Sequence, residues 1–317
     1  MANTAFSPTN SITVSSAGTF VPEIWSDEIV ASYKKNLVLA NLVMKMNFRG
    51  KKGDTIHIPA PTRGSASAKA ATDAVTLIAA SDTDVQVSIN KHYEYSRLIE
   101  DIADVQALNS MRQFYTQDAG YALAKRVDTD LVQLGRYFNG ATVGTNDYAT
   151  SNTSTKAYIG SDGTTAYNST SSNAAALTDA AIRRTIQRLD DNDVPMDGRF
   201  LIVPPSSRNT LMGIARFTEQ AFVGEAGGNN TIRTGEIGNV YGVPVFVSTN
   251  ADTTSGSGAA RIALLGHRDF AVLAEQMAVR SQTQYKQEYL GNLFTADTIY
   301  GVKELRDGSA VALAVPA

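Results

Sequence analysis

Several groups of residues in this chain could do chemistry, and spacing decides whether any of them does. The run Asp190-Asp191-Asn192-Asp193 offers consecutive oxygen ligands for a cation. A calcium loop needs ligands at alternate positions and a glycine at position six. Counting from Asp191 puts Pro195 and Met196 at positions five and six, so the run reads as a helix end with solvated carboxylates. Histidine, the usual general base and metal ligand, occurs only as His57, His92 and His267. None of these has a partner at a catalytic spacing. Asp128 and Asp130 stand two apart in a helical pattern, point to different sides and cannot share a proton. Between Gly235 and Asn250 the chain reads G-E-I-G-N-V-Y-G-V-P-V-F-V-S-T-N, which invites a phosphate-cradle reading. A dinucleotide fingerprint has its glycines after a strand and before a helix, whereas Gly235, Gly238 and Gly242 precede a strand. A nucleophile elbow and a Walker loop are absent, and Gly256-Ser257-Gly258 lies in a small polar turn. No catalytic, cofactor-binding or metal-ligating residue is assigned, and an enzyme is not expected.

Composition narrows the class further. A chain of 317 residues, 43% hydrophobic and 19% charged, is an ordinary folded protein of one or two linked domains. With a net charge of -3 it lacks the basic face of a tight nucleic-acid binder. The absence of cysteine removes disulfides, thiolate metal sites and cysteine nucleophiles together. Residues 1–13 have no export-signal pattern, and no apolar run reaches about 18 residues. The protein is expected to be made and used in solution.

The elements that would position these residues are uneven along the chain. Residues 1–19 are small and polar with isolated Phe6, Ile12 and Val14, an extended arm that orders only against a partner. Pro22 opens a short helix carrying Ile24, Trp25, Ile29 and Tyr33, with Trp25 as a core or interface anchor. Gly50 to Asp54 form a turn, Thr55–Ile58 alternate as a strand, and Val85, Val87 and Ile89 alternate in a return strand. Such a hairpin has too little apolar surface to stand alone and needs neighbours. Apolar residues at steps of three and four predict one long helix over about 104–139, with Gly120 its weak point. Asp118, Lys125, Arg126, Asp128 and Asp130 are assigned to its solvated face. Residues 140–173, rich in Thr, Ser, Asn and Gly, read as a long loop or small hairpin inserted at the surface. Thr178 caps a helix that ends in the acidic run. Gly242 feeds a strand in which Val243, Val245 and Val247 alternate with Pro244, Phe246 and Ser248, and it should need a φ that Val resists. At the end, Thr298–Leu305 and Ala310–Val315 flank Asp307-Gly308, a strong hairpin signal.

One ordered set of segments carries a family resemblance. A helix ending at Leu189-Asp190 leads to Val194-Pro195, then to G-R-F-L-I-V-P-P ending at Pro204 and Pro205. The helix opening S-S-R-N-T-L, the G-E-I-G-N-V-Y-G-V-P-V-F-V-S segment and the tail I-Y-G-V-K-E-L-R-D-G-S-A-V-A-L-A-V follow. This order resembles the major capsid proteins of tailed bacteriophages that share the HK97-type fold. The resemblance implies an α+β chain with an arm and short helix over 1–47 and an E-loop β-hairpin over 48–98. A peripheral domain with a spine helix would occupy 99–185, an axial domain 186–275, and a return to the peripheral sheet 276–317. Structural or assembly candidates are Trp25, Gly50, Gly53, Gly235, Gly238, Gly242, Pro244, Pro204 and Pro205. It further implies hexamers and pentamers in an icosahedral virion shell, enclosing double-stranded DNA without sequence-specific binding and assembled in the host bacterial cytoplasm. Because the arm reaches Trp25 within a short stretch from Met1, a separate scaffolding protein is expected. Portal and decoration or cement proteins are further partners. The family's Lys–Asn cross-link has no matching motif around Lys69. An encapsulin-type cellular compartment is the alternative.

Overall fold

Apolar residues spaced three and four apart make the helix that the rest of the molecule is arranged around. The computed structural model describes residues 38–49, 53–61, 64–69, 71, 74–75, 77, 82–102, 111–137, 157–168, 173–214, 238–254 and 260–317. Trp25, Gly50 and Gly235 lie outside the described residues, as do the arm and the short helix after Pro22. In chain order the elements open with α1 (Leu39–Leu42), β1 (Met44–Asn47), the hairpin β2 (Thr55–Pro61) and β3 (Asp82–Ser88), and β4 (Lys91–Glu100). The long helix α2 (Met111–Gln133) runs on into a 3-10 turn at Leu134–Tyr137. At a rise of about 1.5 Å per residue α2 is roughly 35 Å long. Then come β5 (Tyr158–Ile159), α3 (Asp179–Asp191), β6 (Arg199–Val203), α4 (Pro205–Met212), β7 (Asn239–Val240) and β8 (Val243–Val247). The chain closes with β9 (Ala260–His267), β10 (Ala271–Lys286), β11 (Gly291–Glu304) and β12 (Ala310–Pro316).

The strands form two sheets and the separate hairpin. One sheet has the order β1-β10-β11-β4, and the other β5-β12-β9-β6-β8-β7. In the second sheet β6, with the sequence RFLIV, is buried along its whole length, as an uninterrupted apolar run requires of an interior strand. Leu131 and Leu134 at the end of α2 pack with Leu39, Phe200, Leu264, Phe270, Leu273 and Tyr300, so one core joins the two sheets beneath the helix. A second cluster, with Ile182 and Leu189 of α3 against Leu201, Leu265 and Leu313, fills the far face of the six-stranded sheet.

Three expectations are corrected. Thr298–Leu305 and Ala310–Val315 do not pair as a hairpin: β11 lies between β10 and β4, while β12 joins β9 and β5 in the other sheet. Both edges of β11 are occupied, and a 3-10 turn at Asp307–Ser309, where Asn192 Nδ2 donates to the Gly308 carbonyl at 3.1 Å, carries the chain across. Of the segment expected over 140–173 as a long loop or small hairpin at the surface, the described residues 157–168 do turn back on themselves, Tyr158 bridging Ala166, but they are not a surface insertion: they supply β5, parallel to β12, and the fully buried Tyr167. Arg188 of α3 reaches over the Tyr158 ring at 3.7 Å and clamps the segment down. Asp128 and Asp130, assigned to the solvated face of α2, are 1% and 3% exposed.

The acidic run ends α3 as expected, by a definite mechanism. Asp193 adopts φ 54, its amide donates to the Asp190 carbonyl, and the Val194 amide donates to the Leu189 carbonyl. That is a Schellman ending with Asp in the position glycine usually takes, and Val194 packs against the cluster that contains Leu189.

Candidate functional site

Three sets of residues fix how the hairpin, the helix and the two sheets meet. The first is on α2. Asp128 accepts from the amides of Leu39 at 2.9 Å and Ala40 at 3.3 Å, satisfying two donors at the start of α1, and from Asn250 Nδ2 at 2.9 Å. One buried carboxylate thus ties α2 to the N-proximal segment and to the loop after β8. Two residues on, Asp130 accepts from Tyr300 Oη at 2.9 Å and pairs with Lys91 at 3.0 Å and Arg126 at 3.1 Å. Burial, followed by the charge of Asp130, holds the Tyr300 hydroxyl protonated far above its ordinary range. A buried carboxylate is tolerated only when paired and hydrogen-bonded in this way.

The second set is the base of the β2–β3 hairpin. Its strands pair from Thr55↔Ser88 to Pro61↔Asp82, and Ile56, Ile58 and Val87 rest on Met46, Val272, Ala274 and Leu305. Gly53, at φ 137, turns the chain beside the Phe48 ring, and its carbonyl accepts from Gln276 Nε2 at 3.0 Å. The outer face carries the cross-strand pair of His57 with Asp84, whose hydrogen bond holds the Asp84 carboxyl below its usual range. Farther out, Val75 and Leu77 are 71% and 89% exposed. Each histidine has an aspartate beside it after all: His92 lies 3.2 Å from Asp297, which also accepts from Arg280 at 2.8 and 3.0 Å, and His267 lies 3.7 Å from Asp269. These pairs join neighbouring strands and turns.

The third set is the glycine-punctuated segment. Tyr241 (φ 53) and Gly242 (φ 80) are the two loop residues between paired Val240 and Val243. Two consecutive positive φ values make a type I′ hairpin turn, and the Tyr241 hydroxyl donates to Asp179 at the start of α3. Gly238 has no positive φ and nothing within 4 Å of an added Cβ, so the turn rests on Gly242. Pro244 stands ahead of Val245–Val247, the part of β8 that pairs with β6. Pro204 is the buried N-cap of α4 and Pro205 its exposed first residue, where a missing amide hydrogen costs nothing. Asn250, Lys91, Tyr300, Arg280 and Asp297 were not singled out from the sequence. Their partners lie up to 205 residues away, and only the strand register brings them together.

A model of a family described as phage capsid protein matches residues 100–312. No curated protein matches the chain. A solved structure from Mycobacterium phage Che8 superposes with a TM-score of 0.71 at 23% identity, covering 93% of this chain and 97% of its own. The capsid structure of cyanophage P-SCSP1u gives a TM-score of 0.71 at 16% identity, covering 95% and 94%. The mature capsid of bacteriophage PhiM1 gives 0.70 at 16%, covering 93% and 92%.

Proposed function

The chain belongs to the phage capsid protein family, and from that premise we propose that copies of it close into hexamers and pentamers of an icosahedral shell around double-stranded DNA. It is a structural protein, a component of the virion capsid with the mixed α+β HK97-type fold. The family and the capsid structures it resembles favour a phage shell over an encapsulin-type compartment. In the proposed division, α1, α2 and the four-stranded sheet form the peripheral domain, and the six-stranded sheet with α3 and α4 the axial domain; this revises the expected bounds, because β5 and the start of α3 fall within 99–185 and β12 within 276–317, yet all three go with the six-stranded sheet. The E-loop is the β2–β3 hairpin. Scaffolding, portal and decoration proteins are proposed partners by family resemblance, assembly is placed in the host cytoplasm, and no catalytic step is assigned.

The observation that carries assembly is the hairpin. It rests on the body by a few apolar side chains and presents Val75 and Leu77 outward, a surface that a second copy would cover. A heterologous contact repeated by rotation closes into rings. The full-length chain, expressed alone and together with its neighbouring gene products, should sediment as a megadalton particle that appears closed by negative-stain microscopy. A monomer under both conditions would overturn the reading. Shells containing a protein cargo in place of nucleic acid would favour the encapsulin alternative.

A further inference from the structure

Glu304, the last residue of β11, stands where two recesses meet. On one side a groove of about 490 Å³ runs between the hairpin base and the turn before β12, lined by Asp84, Gln86, Lys303, Glu304 and Asp307. On the other a cleft of about 430 Å³ reaches in to Lys91, Asp130 and Gln133. Glu304 Oε1 is buried and accepts no hydrogen bond, which in a native protein requires an explanation. Carboxyl groups from β3, β11 and the 3-10 turn therefore face one groove.

Lys303 is the cation lining the groove. Lys91, across the deeper cleft, is committed to Asp130 at 3.0 Å, and Asp84 is engaged by His57. Burial and then the charge of Asp307 push the Glu304 carboxyl up to about 7, against the opposing pull of Lys303. Carboxyls that face one groove cannot all ionise readily.

We propose that Glu304 is a proton-operated catch at the base of the hairpin. Holding its proton, it donates to Asp307 and lets β3 lie against the turn. On losing it, carboxylates on both walls repel across the groove and the hairpin base loosens. The hairpin is the element that yields: among the described residues it is held by the small cluster around Val87, against which Leu305, the neighbour of Glu304, packs, and by the Gln276 bond to the Gly53 carbonyl at its base. A folded carboxyl that binds its proton more tightly than the unfolded one makes folding less favourable as pH rises from about 4.5 through about 7. This direction is opposite to that of an ordinary salt-bridged acid.

Hydrogen exchange of the unassembled full-length chain from about pH 5.5 to about pH 8.5, corrected for intrinsic rates, tests the catch. Protection at Val85–Ser88 should fall with a midpoint near 7, as the raised carboxyl requires. Glu304→Gln, which keeps the shape of the protonated form, should hold the acid-side protection across the range. Asp307→Asn, which removes the neighbouring charge, should move the midpoint to lower pH. His57→Gln should leave it in place. A flat wild-type profile, or a midpoint that survives Glu304→Gln and disappears with His57→Gln, would overturn the proposal. Because the measurement uses unassembled subunits, it stands or falls apart from shell formation.

Discussion

The junction beneath α2 and the β2–β3 hairpin use polar residues in opposite ways. At the junction, Asp128 and Asp130 are almost wholly buried and are met by backbone amides, Asn250, Tyr300, Lys91 and Arg126. The hairpin keeps its pairs outside: His57 and Asp84 have side chains 60% and 45% exposed. A buried network is costly to break and specifies one arrangement, whereas an exposed pair adds little. The junction thus draws its partners from within the chain, and the hairpin leaves its His–Asp pair, Val75 and Leu77 at the surface.

The contrast can be broken at its strongest point. Asp130→Ala would leave the buried Tyr300 hydroxyl without its acceptor and Lys91 and Arg126 without their partner, and denaturant unfolding should show a loss of about 3 kcal/mol. A loss close to that of an exposed pair would erase the distinction. Asp128→Ala orphans the Leu39 and Ala40 amides and should cost about 2 kcal/mol, with earlier proteolytic cutting near residues 38–43. The Cβ that Gly242→Val adds meets no atom within 4 Å, so a cost of about 1–2 kcal/mol is expected from the left-handed conformation. Gly242→Asn should recover much of it, since Asn tolerates the left-handed region, and thermal melts of the pair would separate strain from collision. At the other extreme, Leu77→Ser should change subunit stability by no more than about 0.5 kcal/mol while lowering particle yield. Equal loss of subunit stability would place that side chain in the fold and not between copies.

Local pattern carried what depends on neighbours in sequence. The spacing of Ala119, Leu123, Val127 and Leu131 marked α2, Thr178 and the acidic run bounded α3, and Tyr241-Gly242 ahead of alternating valines placed a turn before a strand. What it missed depends on partners far away. Asp128 and Asp130 read as surface because a helical stripe says nothing of Leu39 and Tyr300, which lie 89 and 170 residues off. Asp307-Gly308 looked like a hairpin because turn chemistry is blind to strand edges already filled by β10 and β4. Tyr167, isolated among Thr and Ser, gave no periodic sign of its complete burial.

The two crossings that bound the β10–β11 ribbon lie side by side, with the Leu305 amide donating to the Phe270 carbonyl at 2.8 Å. The chain leaves β9 for the β10–β11 ribbon and returns from it directly into β12, the strand hydrogen-bonded to β9. A tension that reaches β9 and β12 along their strands therefore pulls the two together and loads their ladders to β6 and β5 in shear. Shear strains many hydrogen bonds at once, whereas peeling breaks them in succession. The ribbon is anchored as a tension member, seated in the middle of the six-stranded sheet and not at its rim.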